Sequence, residues 1–275
     1  LSELQSNNVM NNIKDPRGNT NCSGKVIVSK KSNNEYSYNP YLECGANYKT
    51  YDSYINNGLI QQYDGYDEPV SGYWMDKTGN NINAEMISFD STSGYDSIKK
   101  GYVFDGINDY MRMSYLTNIT NEITVEGVGI INSYNKSGWV KTLFSCGNEA
   151  TNKIVWLGYG INSSYRFFNE IGVGTTRVGY SQIDVNPILP NQLFSLSITF
   201  KNGSIYTYKN GLLIENTGAI SGNITIEGNY SYIGGYLGAG HLFDGTIKSI
   251  RIYNRALSDN EILNNYNIDK QRFGL

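Results

Sequence analysis

A chain of 275 residues is long enough to bury a full core, as one large domain or one domain with a small companion. A formal net charge of −3 gives no footing for nucleic acid or an anionic membrane surface, and no apolar run approaches the ~20 residues of a membrane helix. With 24 Tyr and 30 Gly against 5 Pro and a single His, the composition favours strands joined by tight turns, so a mainly β fold is expected.

Leu1, Leu4, Met10 and Ile13 recur as on a helix, and Asp15-Pro16-Arg17-Gly18-Asn19 is a strong turn signal. A hairpin follows. Lys25–Ser29 is strand-like, Ser32-Asn33-Asn34-Glu35 turns, and Tyr36–Leu42 returns, with Pro40 marking an edge strand. Cys22 and Cys44 lie symmetrically about Asn33, so antiparallel pairing sets them opposite each other, where a disulfide is geometrically feasible. Such a bond would stabilise this small unit by roughly 3 kcal/mol and implies an exported protein. The alternative is two unpaired thiols in a cytosolic protein. Cys146, at a strand end, reads as a free, partly buried thiol.

This first stretch resembles pilin-like proteins of Gram-positive bacteria. Lys14-Asp15-Pro16, Gly18-Asn19, Cys22-Ser23-Gly24, Val26, Val28, Tyr36, Tyr38, Tyr41-Leu42 and Cys44-Gly45 match a hairpin that follows an N-terminal helix in that family. The resemblance implies a small α+β unit over residues 1–57, with a helix tail and hairpin. It also implies a membrane helix ahead of Leu1, and other pilin subunits as partners.

Residues 58–275 carry a second set of motifs, in order. Gly58–Gly65 and Trp74–Asn81 come first, then Gly101–Tyr110 with Phe104-Asp105-Gly106, then Ile123–Gly127. Ile154–Tyr159, Phe194–Phe200 and Ser204–Lys209 alternate apolar and polar residues, and Lys209-Asn210-Gly211 is a hairpin turn. Near the end, Ile247, Ile250, Ile252 and Tyr253 form a buried-type strand after Asp244-Gly245. Ser258 and Glu261 then spell a capping box for a helix whose apolar side holds Ile262 and Tyr266. Together these motifs resemble the laminin-G/concanavalin-A-like jelly-roll superfamily, which implies a two-sheet β-sandwich of about a dozen strands.

The sequence holds no zinc helix, P-loop or dinucleotide-binding glycine motif. His241, the one His, sits in a Gly-rich loop and reads as a loop residue without a catalytic role. The superfamily includes glycanases, whose paired acids are spaced E-x-D-x-x-E; that pattern is absent here. Glu122 and Glu126 are four apart, and Glu126 matches a position that is commonly Glu in non-catalytic members. No enzyme is therefore expected.

Binding is expected instead. In pentraxin-type relatives, calcium and ligand sit on one sheet face. The loop Gly147–Asn152 offers oxygen ligands there, but the second loop, Tyr236–Gly238, lacks an acid. Calcium stays a candidate cofactor, with Asp64, Asp76, Asn80 and Asp105 as loop oxygens; Asp in such turns also caps backbone. For a glycan, the resemblance points to Asn148, Glu149, Asn152, Tyr159, Tyr236 and His241, with Tyr165 as another stacking ring. The two resemblances combine into a modular minor type IV pilin. Its expected role is that of an extracellular adhesin on the bacterial surface, binding a host glycan or glycoprotein. A structural module is the alternative, and a glycan hydrolase a more distant one.

Overall fold

The structure is a computed structural model that describes residues 53–275 other than 118, 137, 219, 238 and 239. At 180 and 181, and in the strands 23–30 and 36–43, it describes the backbone alone. Contacts divide the chain into two units, Leu1–Ile55 and Asn56–Leu275.

In the first unit, β1 (Ser23–Lys30) pairs antiparallel with β2 (Tyr36–Glu43), from Ser23 opposite Glu43 to Lys30 opposite Tyr36. This is the register expected from the sequence, centred on Asn33. The expected N-terminal helix, the Asp15–Asn19 turn, the turn at 32–35 and the Cys22–Cys44 pair lie outside the described residues.

The second unit is a sandwich of two antiparallel sheets. The strands are β3 (Leu59–Asp64), β4 (Tyr73–Trp74), β5 (Ala84–Ile87), β6 (Gly94–Asp96), β7 (Gly101–Asp105), β8 (Tyr110–Ser114), β9 (Ile123–Ile131) and β10 (Val140–Asn148). They continue with β11 (Lys153–Asn162), β12 (Ser164–Val173), β13 (Thr176–Ile183), β14 (Leu193–Lys201), β15 (Ser204–Lys209), β16 (Leu212–Thr217), β17 (Tyr230–Ile233) and β18 (Asp244–Tyr253). One helix, α1 (Asp259–Phe273), closes the chain. The first sheet runs β13-β12-β11-β10-β17-β8-β5-β4. The second runs β16-β15-β14-β9-β18-β7-β6, with β3 also paired to β18.

One core fills the space between the sheets, where Trp74, Phe104, Phe144, Leu157, Phe194 and Ile250 are buried. Every residue of β18 is buried, on both faces, because α1 covers the side turned away from the core. Ser258 caps α1 and Glu261 returns the bond, the capping box that the sequence spells. Ile262 is buried and Tyr266 half-buried, as expected. Tyr266 packs on the Asn210-Gly211 turn, where both residues have positive φ, 51° and 76°; a Cβ on Gly211 would lie 2.7 Å from the Tyr266 ring. Cys146 is a free, buried thiol, and burial pushes it up to about 11.

Candidate functional site

β11 alternates as a strand must. Val155, Leu157 and Tyr159 face the core, while Ile154, Trp156, Gly158 and Gly160 face outward. Trp156 stands directly opposite Ser145 on β10 and Glu170 on β12, and Gly158 stands opposite Phe168. Missing side chains let neighbouring backbone close in: a Cβ on Gly160 would lie 1.8 Å from the Trp139 carbonyl oxygen.

The result is an aromatic cluster on the outside of the sandwich. Trp139 packs edge-on against Phe168, with centroids 4.2 Å apart at 78°. Trp156 stacks on Tyr236 at 4.8 Å and 12°. His241 lies between, 5.8 Å from Trp139 and 5.3 Å from Trp156. The Trp156 Nε1–H donates to Thr142 Oγ1 at 3.1 Å. Trp156 is 4% exposed and forms the floor, whereas Trp139 is 42% exposed and forms the accessible edge.

A charged rim adjoins the cluster. Arg177 Nη1 lies 2.9 Å from Glu149 Oε1 and 2.9 Å from Glu170 Oε2. Burial pushes the Glu170 carboxyl up to about 7; Arg177 opposes this and Glu149 adds to it. Near neutral pH Glu170 can thus donate or accept a hydrogen bond. Burial lowers the His241 pKa, Glu149 opposing and Lys141 reinforcing, which favours the neutral ring. Its Nδ1 is buried without a hydrogen-bond partner among the described residues.

Five of the residues expected from the sequence meet here. Asn148 Oδ1 accepts from Ala150 N at 2.9 Å and starts the single 3-10 turn Glu149–Thr151. Glu149 N donates to the Tyr236 hydroxyl at 2.8 Å, tying that turn to the segment that carries His241. Asn152, with φ 59°, ends the turn and donates from Nδ2 to Thr175 O at 3.3 Å. Tyr159 is placed differently. It is fully buried; its hydroxyl donates to Asp184 Oδ2 at 2.9 Å and accepts from Ile188 N at 3.0 Å, so no ligand can stack on its ring. Tyr165 likewise packs on the core, edge-on to Tyr134. Trp139, Trp156, Phe168, Glu170 and Arg177 were not among the expected residues.

The carboxylates expected as calcium or catalytic candidates are engaged by the protein's own backbone and side chains. Asp76 Oδ1 accepts from Gln62 N and Thr78 N at 3.1 and 3.0 Å. Asp105 Oδ1 takes the amides of Ile107 and Asn108 at 2.7 and 3.1 Å. Asp64 accepts from Tyr66 N and pairs with Arg272 at 2.8 Å. Glu122 accepts from Ala256 N, and Glu126 is buried against Arg251. Among the described residues no three His, Cys, Asp or Glu side chains converge as metal ligands would. A larger hollow of about 420 Å³ lies by Tyr115, Ile119, Lys153 and Ile224. Its one cation already pairs with Glu227 at 2.9 Å, and its half-buried Tyr115 donates its hydroxyl to Ile226 O at 2.6 Å.

Two twisted sheets, with a helix behind one and an aromatic, charge-rimmed face on the other, define a lectin-like module. The chain belongs to the concanavalin A-like lectin/glucanases superfamily, which matches residues 105–263. No curated protein matches it in sequence. Solved structures share the fold at low identity. Domain 4 of AbnA, an extracellular arabinanase of Geobacillus stearothermophilus, in complex with arabinotriose, is 18% identical with a TM-score of 0.55, over 76% of this chain and 98% of that one. The botulinum neurotoxin serotype G binding domain is 16% identical with a TM-score of 0.56, over 77% and 51%. Trypanosoma rangeli sialidase in complex with sialic acid is 14% identical with a TM-score of 0.58, over 93% and 46%. The chain thus spans about half the length of the toxin domain and the sialidase. The fold is shared by glycosidases and non-catalytic binding modules alike. Among the described residues no helix is long and apolar enough to cross a membrane.

Proposed function

We propose that the second unit is a non-catalytic glycan-binding module, and that the protein is an extracellular adhesin built as a minor type IV pilin. The observation that carries the glycan reading is the half-exposed Trp139 beside the Arg177–Glu149–Glu170 rim. An aromatic face takes the C–H side of a sugar, and the rim supplies donors and acceptors for its hydroxyls. Four residues that the family resemblance singles out, Asn148, Glu149, Tyr236 and His241, position these groups. Domain 4 of the arabinanase, seen with arabinotriose on the same fold, supports the ligand class. The pilin reading rests on the sequence match at residues 14–45 and on the observed β1–β2 register. In that setting Cys22 and Cys44 form a disulfide, other pilin subunits are partners, and many copies on one filament make weak sites strong by avidity.

The two carboxylates that flank Arg177 favour a second reading, a glycan hydrolase, since retaining enzymes hold two acids about 5 Å apart. Arg177 Nη1 occupies the space between them, where the reacting sugar carbon has to sit, so the pair reads better as ligand-binding. A glycan-array screen of the purified chain, with calcium and with chelator, tests the proposal. Binding to a defined sugar set supports it, and loss of that binding in chelator places an ion at the site. A blank array in both conditions overturns it.

A further inference from the structure

The cross-strand row that carries Glu170 and Trp156 does not end at the aromatic cluster. It continues through Ser145, Tyr232, Arg112 and Glu85 to Tyr73, each directly opposite the next on the same outer face. Ser145 is buried where its hydroxyl donates to Gly235 O at 2.8 Å, and Tyr236 covers Trp156. The segment with Gly235 and Tyr236 therefore crosses the row and divides the face in two.

Beyond that crossing lies a cleft of about 250 Å³ between Tyr73, Asn83, Glu85, Arg112 and Tyr230. Its groups are preset. Arg112 Nε and Nη2 both donate to Glu85 Oε2, at 3.2 and 2.6 Å, and the guanidinium lies 4.7 Å from the Tyr230 ring centre. Among the described residues, Arg112 Nη1 and Glu85 Oε1 have no protein partner. One charged donor and one charged acceptor thus stand side by side, both held. Tyr230 and Tyr73, 41% and 39% exposed, flank them with ring surface.

We propose that this cleft is a second saccharide site, specific for a neutral sugar with vicinal hydroxyls. A diol can accept from Arg112 Nη1 with one hydroxyl and donate to Glu85 Oε1 with the other, while a tyrosine ring covers its C–H face. An anionic sugar is disfavoured. Its carboxylate meets Glu85, and the guanidinium that could bind it is already neutralised. Arg112 and Glu170 are four strands apart, roughly 19 Å at the usual strand spacing. One chain then offers two sites on one face, and a dense glycan surface can engage both.

Saturation-transfer NMR on the full chain tests this with three probes: methyl α-mannoside, methyl β-galactoside and the methyl glycoside of N-acetylneuraminic acid. The expected result is transfer to at least one neutral glycoside, with affinity reduced roughly tenfold in Arg112→Ala and in Tyr230→Ala. That component persists in Trp139→Ala, which reads the first site separately. The sialoside gains an Arg112-dependent signal only in Glu85→Gln. No transfer to either neutral glycoside overturns the proposal. So do neutral signals unchanged in both Arg112→Ala and Tyr230→Ala, or an Arg112-dependent sialoside signal in the unmodified protein. If the first site fails instead, Trp139→Ala leaves array binding unchanged while the Arg112-dependent signal remains, which supports the second site.

Discussion

Arg251 Nε donates to Glu126 Oε2 at 2.8 Å, with both side chains almost completely buried. The same guanidinium donates to both oxygens of Asp269 on α1, at 2.9 and 2.5 Å. Asn265, also on α1, donates to Glu126 and to the Tyr253 hydroxyl, at 2.8 and 2.9 Å. This network pins α1 to β9 and β18. It also gives Glu126 a structural task, holding α1 on the outer side of the second sheet.

Breaking the network by removing one partner leaves a buried charge uncompensated, which typically costs 3–5 kcal/mol. Glu126→Ala and Asp269→Ala are each expected to destabilise the protein by about that amount. Urea denaturation followed by tryptophan fluorescence checks this. A loss under about 1 kcal/mol, the scale of an exposed pair, contradicts the structural role.

Ser258→Ala removes the N-cap of α1 and is expected to cost about 1 kcal/mol, while Ser258→Asp is close to neutral. Thermal unfolding of both variants measures the difference. Equal losses point away from capping.

Glu170 ties the site to pH. Burial raises its carboxyl to about 7, against an ordinary value of 4.5. Between those values the folded protein holds a proton that the unfolded chain releases. This group therefore favours folding at low pH, and its contribution falls as pH rises from 4.5 to about 7. Glu170→Gln removes that dependence. Unfolding temperatures of the two proteins across this range are expected to shift against each other as pH rises. A constant offset contradicts the raised pKa.

Much of the fold is legible in the chain. The capping box at Ser258 and Glu261, the Asn210-Gly211 turn and the β1–β2 register need only local chemistry, and all three appear as read. The candidate site is less legible because it depends on strand phase and on pairing partners. Tyr159 and Trp156 share β11 but lie three residues apart, so they face opposite ways; the ring chosen from the sequence is the core one. With β11 buried along most of its length, the alternation that would reveal the phase is hidden. Arg177, Glu149 and Glu170 come from three elements, and only the β10–β13 register brings them together. A usable signal was the tryptophan content. Of three Trp in the chain, Trp74 is core, and the other two build the outer shelf.

The register of the first unit makes a covalent prediction. Ser23 stands opposite Glu43, and in the sequence Cys22 precedes the one and Cys44 follows the other. Peptide mapping without reductant is expected to recover these two cysteines in one cross-linked pair, with Cys146 unlinked. Two alkylated thiols at 22 and 44 contradict the pairing.

The central claim is that the outer face at Trp139 binds a glycan. A glycan array run side by side on the unmodified chain and on Trp139→Ala tests it most directly. The account predicts a defined set of sugars bound by the first and lost, or at least tenfold weaker, in the second, since truncating a central aromatic anchor costs roughly 1–2 kcal/mol or more. Equal binding by both proteins contradicts it and moves recognition away from the aromatic shelf.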